Sequence, residues 1–469
     1  MTPTVSNYEE AIQFLFGRIN YERASAGSYT SNDLKLGRMV ELLARIGNPQ
    51  ERIPAIHIAG TKGKGSTATM IAHVLTDAGY RTGLFTSPHL HRFEERLVVN
   101  GMLPTEPQFV ELVNQLLPHI VEMDVLPGRM APTFFEIATA LAWMHFESSR
   151  VDYVVLETGL GGRLDTTKLC RPLVTIITCI SLDHTHLLGE TVEQIAAEKA
   201  GILKMEVPLV CGVRDDGARR VIHHIARELK VPIHQLGDDF EVEMASIRFD
   251  RDVGFRGVMQ LRTESGETTP LQFSLPGRHQ ADNAALVYTT CELLRKEGLA
   301  LDPEHVRSGI SRVRCPLRIE RVRSEPTVIL DAAHNVASIS ALVDTLECLP
   351  DSARTVIFAA SQDKKAAEML VELKRGFERI IVTVFQNNPR AVPIEELVPY
   401  AEAAGFTEIG IAKSPAEAWE MASADAAPND LICVGGSFFL AIEVREHLQG
   451  LTDNAPSTKA EPVPNLNQM

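Results

Sequence analysis

Three glycines, two lysines and three hydroxyl residues fall within HIAGTKGKGST (57–67), and in that order they suit the grip of a phosphate chain. Gly60, Gly63 and Gly65 let the backbone turn tightly and approach oxygen atoms with no Cβ in the way. Thr61 and Lys62 complete the turn. An apolar run precedes the loop and a helical pattern (67–78) follows it, so the open N–H groups of a helix start would face the anion. Lys64 supplies a point charge for the terminal phosphates of a nucleotide, and Ser66 and Thr67 offer hydroxyls beside it. The spacing departs from G-x-x-x-x-G-K-[ST], because Gly65 separates Lys64 from Ser66. A glycine-rich strand-to-helix turn with two solvated lysines is the plain alternative. The joint occurrence of strand, glycines, lysine, hydroxyl and helix favours phosphate binding.

The elements that must hold this loop follow from periodicity. Short β-branched runs alternate with helical patterns, which predicts parallel α/β architecture. Residues 53–59 read as the strand entering the loop, with further strands at 153–157, 173–180 and 208–213. These are almost continuously apolar, as expected of strands covered on both faces. Between about 239 and 275, polar–apolar alternation (FEVEMASIRFD, VMQLRTES) predicts a small antiparallel insertion. A second α/β series starts near 320, with strands at 328–330, 356–358, 380–385 and 431–434. The expected fold is thus α/β: an N-terminal P-loop-type parallel-sheet domain with the insertion (1–315), then a smaller Rossmann-like α/β domain (316–450). The Pro/Asn/Ser-rich stretch 451–469 is expected to be a disordered tail.

Composition bounds the functions available. A chain of 469 residues exceeds what one core usually serves, in keeping with two domains. Lys+Arg 46 against Asp+Glu 61 gives a net charge of −15, which argues against a general nucleic-acid or membrane-surface binder. Anionic substrates would have to be received by local lysines, backbone N–H groups or metal ions. The seven cysteines are scattered and never form a C-x-x-C pair, so neither a disulfide frame nor a zinc site is suggested. The acidic start MTPTVSNYEE is unlike a signal peptide, and no apolar run reaches the roughly 18 residues of a membrane span. A soluble, cytoplasmic protein acting as a monomer is expected.

At the glycine loop the chain also begins to resemble the folylpolyglutamate synthase/dihydrofolate synthase family, part of the Mur ligase superfamily. That family's loop reads G-T-[NK]-G-K-G-[ST], and residues 60–66 match it with Lys62 at the variable position. The resemblance continues through TSPHLHRFEERLVVNG (86–101), TFFE (133–136), LETGLGGRLDTTK (156–168) and SLDHTHLLGE (181–190). AEKAGILK (197–204), PGRHQADNAA (276–285) and LDAAHN (330–335) follow in the family's order, so that it spans residues from about 10 to 445. It implies that Ser87 and Glu136 hold one magnesium ion beside the phosphates of ATP and that His184 holds a second. It further implies that Lys199 is carbamylated by CO2, giving a carboxylate that helps hold the second ion. The residues by themselves equally allow Glu136 as a carboxylate favouring a helix start, His184 as a loop histidine bonded to backbone, and Lys199 as a solvated helix lysine.

Nucleotide contacts implied by the resemblance are the loop residues with Asn283, Arg318, Asp331 and Ser437. His334 in DAAHN and Ser437 in VGGSFF are the implied contacts near the incoming glutamate and the γ-phosphate, although both would also serve as turn residues at strand ends. Pro316-Leu317-Arg318 stands where the family commonly has P-G-R, and Lys168 where it often has Asn. SNDL (31–34) resembles a dihydropteroate-binding segment. The implied reaction activates the carboxylate of a dihydropteroate or reduced folate as an acyl phosphate between the domains, and the neutral amine of L-glutamate then expels phosphate. The rivals are a Mur-type ligase acting on a nucleotide-linked sugar and a P-loop switch NTPase. The SPHL and LGGRLD segments count against the first, and the second α/β domain and non-standard loop count against the other.

Overall fold

The computed structural model describes residues 4–22, 35–128, 130–250, 254–386 and 388–453. SNDL (31–34) and most of the expected tail (454–469) lie outside the described residues. The chain divides into two compact units, Met1–Cys315 and Pro316–Met469. Among the described residues no helix is long and apolar enough to cross a membrane.

The first unit is built on β1 (Pro54–Ala59), β2 (Thr82–Phe85), β3 (Val98–Val99), β4 (Tyr153–Glu157), β5 (Arg171–Ile177), β6 (Leu209–Cys211) and β7 (Ile233–Gln235). They form one sheet in the order β3-β2-β4-β1-β5-β6-β7, parallel except for β3, which runs against β2. Strand β1 lies at the centre and is buried along five of its six residues. Alternate side chains explain the apolar run. Ile56 and Ile58 face the helices Lys64–Asp77 and Arg278–Lys296, whereas Ala55 packs with the helices Glu106–Asp124 and Phe134–Ser148 on the other face. The antiparallel insertion is present as β8 (Glu241–Asp250), β9 (Gly254–Arg262) and β10 (Thr268–Phe273), in the order β10-β9-β8. Its Met259, Leu261 and Leu271 join the core around the helix Arg278–Lys296.

The helix after the glycine loop begins three residues earlier than the sequence suggests, at Lys64. Its N-cap is Gly63 at φ 82°, and no side chain caps it. The first-turn N–H groups are therefore not spent on a capping side chain, as an anion site requires.

The second unit carries β11 (Glu320–Ser324), β12 (Thr327–Leu330), β13 (Arg354–Phe358), β14 (Arg379–Val382), β15 (Glu408–Ile411) and β16 (Leu431–Gly435). The order is β11-β12-β16-β13-β14-β15, with β11 antiparallel to β12 and the other pairs parallel. β16 enters between β12 and β13, so the carboxyl ends of β12 and β16 lie side by side, the kind of place where open α/β sheets bind ligands. The edge strands β11 and β15 escaped the sequence reading because they are polar and only partly covered. The last helix, Phe438–Asp453, takes in the first three residues expected to be tail.

Candidate active site

The glycine loop is tied down from β5. Thr61 N–H donates to Cys179 O at 2.8 Å, Thr61 Oγ1 to Ser181 O at 3.2 Å, and Thr178 Oγ1 to Lys62 O at 2.6 Å. From the other side the helix Arg278–Lys296 meets the loop. Asn283 lies so close to Gly63 that a Cβ there would sit 2.6 Å from Asn283 Oδ1, and φ +82 at Gly63 disfavours any other residue as well. Asn283 Nδ2 donates to Gln280 Oε1 at 2.9 Å, and Gln280 Nε2 donates to the buried Ser66 Oγ at 3.3 Å. Loop residues 60–66 and Asn283 are thus brought together, and Gln280 joins them without having been singled out from its motif.

Lys64 and Lys199 converge on this loop as well. Lys64 Nζ donates to Gly60 O at 3.1 Å, and Lys199 Nζ, on the helix Val192–Ala200, donates to the same oxygen at 2.8 Å. The reading of Lys199 as a solvated helix lysine is wrong, since its residue is only 4% exposed. Burial first, and the nearby Lys64 cation second, push its amine down to about 7 from an ordinary 10.5.

Glu136 is buried, but both its oxygens accept from Arg38 Nε, at 2.9 and 3.0 Å. Its Oε2 also accepts from Thr133 N–H in a capping box at the start of the helix Phe134–Ser148. The carboxylate at the loop is Glu157, the last residue of β4. Its Oε1 is 4.0 Å from Lys64 Nζ, its Oε2 accepts from Ser87 N–H at 3.2 Å, and a Cβ on Gly65 would lie 3.3 Å from Oε2. Ser87 thus lies beside Glu157, whereas Glu136 is engaged by Arg38. His184 occupies an exposed left-handed turn (φ 49°, ψ 39°), its ring 6.5 Å from that of His186. Among the described residues no three His, Cys, Asp or Glu side chains gather into a metal cage. A serine and one carboxylate beside a phosphate loop do fit magnesium, which keeps waters and takes phosphate oxygens as its other ligands.

In the second unit, Asp331 directly follows β12 and is buried. Its Oδ2 accepts from Ile319 N–H and its Oδ1 from Ala333 N–H, each at 2.7 Å. Burial raises its pKa, and the Arg318 guanidinium, followed by those N–H groups, pulls it back. Leu317 and Ile319, either side of Arg318, take φ of 55° and 49°, in the left-handed region. His334 sits in the turn after β12, with Nδ1 2.9 Å from Ala332 O. Buried Ser437 follows β16, and its Oγ accepts from Phe439 N–H at 3.2 Å. The structure thus gathers Arg318, Asp331, His334 and Ser437 at the adjoining carboxyl ends of β12 and β16. Lys168 is half-buried in the turn Thr166–Leu169.

A phosphate loop with a second, buried lysine on it, followed by a separate α/β unit, defines a class. Residues 58–291 match the Mur ligase middle domain and residues 317–438 the Mur ligase glutamate ligase domain, so the chain is an ATP-dependent ligase of the Mur type. Dihydrofolate synthase/folylpolyglutamate synthase of Bacillus subtilis is 35% identical over 446 residues, covering 94% of this chain and 99% of that one. A folylpolyglutamate synthase structure from Mycobacterium tuberculosis complexed with ADP is 30% identical, with a TM-score of 0.83 over 96% of this chain and 99% of that one. The folylpolyglutamate synthase of Thermotoga maritima gives 32% and 0.79 over 94% and 96%. This chain belongs to the dihydrofolate synthase/folylpolyglutamate synthase family.

Proposed function

We propose that this chain uses ATP to join L-glutamate to the carboxylate of a pteroate or folate, both as a dihydrofolate synthase and as a folylpolyglutamate synthase. The observation that carries the reading is the pair of lysines on Gly60 O, within a glycine loop that leaves a helix start open to phosphate. Lys64 binds the β/γ-phosphates and spreads charge as the γ-phosphoryl moves to the acceptor carboxylate. The acyl phosphate so formed has a good leaving group. The neutral glutamate amine attacks its carbonyl carbon, the C–N bond forms, the C–O bond to phosphate breaks, and the nitrogen gives up one proton, which leaves with the phosphate. Asn283, Arg318, Asp331 and Ser437 are assigned to the nucleotide, and His334 to the glutamate end.

Ser87 and Glu157 would hold one magnesium ion beside the phosphates, and His184 with Lys199 a second. Magnesium, when bound, offsets the charge of the phosphate oxygens. Burial and the Lys64 cation favour the neutral form of this amine, and this supports carbamylation of Lys199. The neutral amine nitrogen forms a bond to the carbon of CO2 and releases one proton, leaving an anion in place of the neutral amine; counted from the ammonium form, two protons leave.

The test is isotopic. With ¹⁸O in the acceptor carboxylate, released phosphate is expected to carry the label, and unlabelled phosphate would refute the acyl phosphate. ADP formation with dihydropteroate or with a reduced folylglutamate, each plus glutamate, decides whether both activities are present.

A further inference from the structure

One buried titratable group has no part in the mechanism so far. His57, in the middle of β1, is fully buried and ends three residues short of Gly60. Its Nε2 lies 2.8 Å from Thr167 Oγ1, while its Nδ1 has no hydrogen-bond partner. Thr167 Oγ1 donates in turn to Asp165 Oδ1, so it can only accept from the ring, and the proton of the neutral imidazole sits on Nε2. Asp165 is also buried, and its Oδ2 accepts from Leu160 N–H at 2.9 Å. The loop fixed in this way, 159–165, lies against the last turn of the helix bearing Lys199. Arg163 N–H donates to Glu198 O at 2.8 Å, and a Cβ on Gly162 would come within 2.8 Å of Lys199 O.

Lys199 is therefore referred to β1 at both ends. Its amine reaches Gly60 O, and its backbone is held through Gly162, Asp165 and Thr167 by His57. We propose that His57 is a positioning residue: through Thr167 and Asp165 it sets the loop against which the Lys199 backbone is placed, and so the site where Lys199 takes up CO2. The inference rests on the carbamylation of Lys199 proposed above. It assigns His57 no contact with substrate. Its chemistry asks for a neutral donor at the Nε2 position, which glutamine supplies and leucine does not.

The experiment measures ligation against dissolved CO2 at fixed pH, together with carbamate formation followed by ¹³C NMR with labelled bicarbonate. Loss of one donor to a buried acceptor network is expected to raise the CO2 needed for half-maximal ligation about tenfold in His57→Leu. His57→Gln is expected to restore it to within about twofold of wild type, since it keeps the hydrogen bond. Thr167→Val removes only the hydroxyl and is expected to match His57→Leu; it decides the matter if the leucine variant does not fold. A simple packing role would lower the melting temperature without moving the CO2 response, and variants with the wild-type CO2 response overturn the inference alone. A wild-type enzyme that ligates with no CO2 response overturns the carbamate assignment and this inference with it. A wild-type enzyme that does not ligate refutes the proposed function itself.

Discussion

Lys64 and Lys199 donate to one and the same oxygen, Gly60 O, at 3.1 and 2.8 Å. Two full cations on one carbonyl repel, and of the two, Lys199 is the deeply buried one whose pKa falls. Burial and the neighbouring charge thus both favour the neutral form of Lys199.

The pH response of Lys199 follows in sign. Only the neutral amine reacts with CO2, and it predominates above about 7. At constant dissolved CO2, recovery of a CO2-stripped enzyme is expected to rise with pH, with a midpoint near that value. The measurement is the rate of reactivation across pH 5.5–9, a range of about two units about the midpoint. A flat profile would contradict the assignment.

Replacement of Lys64 tests the phosphate grip. Lys64→Ala is expected to lower ligation by about 10³-fold or more while the fold persists, because the lysine acts on charge that develops during transfer. It also removes the cation facing Lys199, so the reactivation midpoint of that variant should move upward. Glutamate-dependent phosphate release at the wild-type rate would exclude the role given to Lys64.

Glu157 and Glu136 are separable by what each loses. Glu157→Gln is expected to weaken magnesium-dependent ATP binding with little change in melting, since its carboxylate faces Ser87 and Lys64 at the loop. Glu136→Gln leaves Arg38 buried without its charge partner, which costs about 3–5 kcal/mol in comparable cases. Its signature is a large fall in melting temperature with magnesium affinity retained. ATP titrations with and without magnesium, beside thermal melts, discriminate the two.

That exchange of carboxylates shows where the sequence was legible. The loop, the parallel strands and the insertion announced themselves through glycine spacing and period. Thr133-Phe134-Phe135-Glu136 is a capping box in plain sight, and its mechanism already assigns Glu136 to a helix start. Glu157 was harder to place. Its position depends on β4 pairing with β1 in the register Ile58↔Glu157, which local sequence does not reveal. Lys199 looked like a surface lysine because its amine reaches Gly60 O, 139 residues away in the sequence, and an amphipathic pattern reports only the helix's own faces (roughly one turn per 3.6 residues).

His57 gives the acid side of stability. Burial, with Lys204 and then Lys168 adding repulsion, holds its pKa down at about 3, against 6.5 for the ordinary group. Between those values the unfolded chain takes a proton that the folded chain refuses, so stability falls as pH drops, by up to about 1.4 kcal/mol per unit. Above pH 6.5 the penalty is absent. His57→Gln removes this contribution, and its unfolding free energy from urea titrations should fall less steeply between pH 6 and 4, by about one proton's worth of slope.

Leu317 occupies a left-handed backbone position (φ 55°) in a place where glycine would be unstrained. Holding a leucine there costs about 1–2 kcal/mol. The same side chain is only 1% exposed, and truncating a buried leucine costs about 3–5 kcal/mol, with up to about 1 more for the added freedom of a glycine in the unfolded chain. Burial outweighs strain. Leu317→Gly is therefore expected to destabilise the second unit by about 1–5 kcal/mol despite its better backbone fit, as read from urea unfolding. A glycine variant as stable as wild type would mean that the strain is larger than the packing it permits.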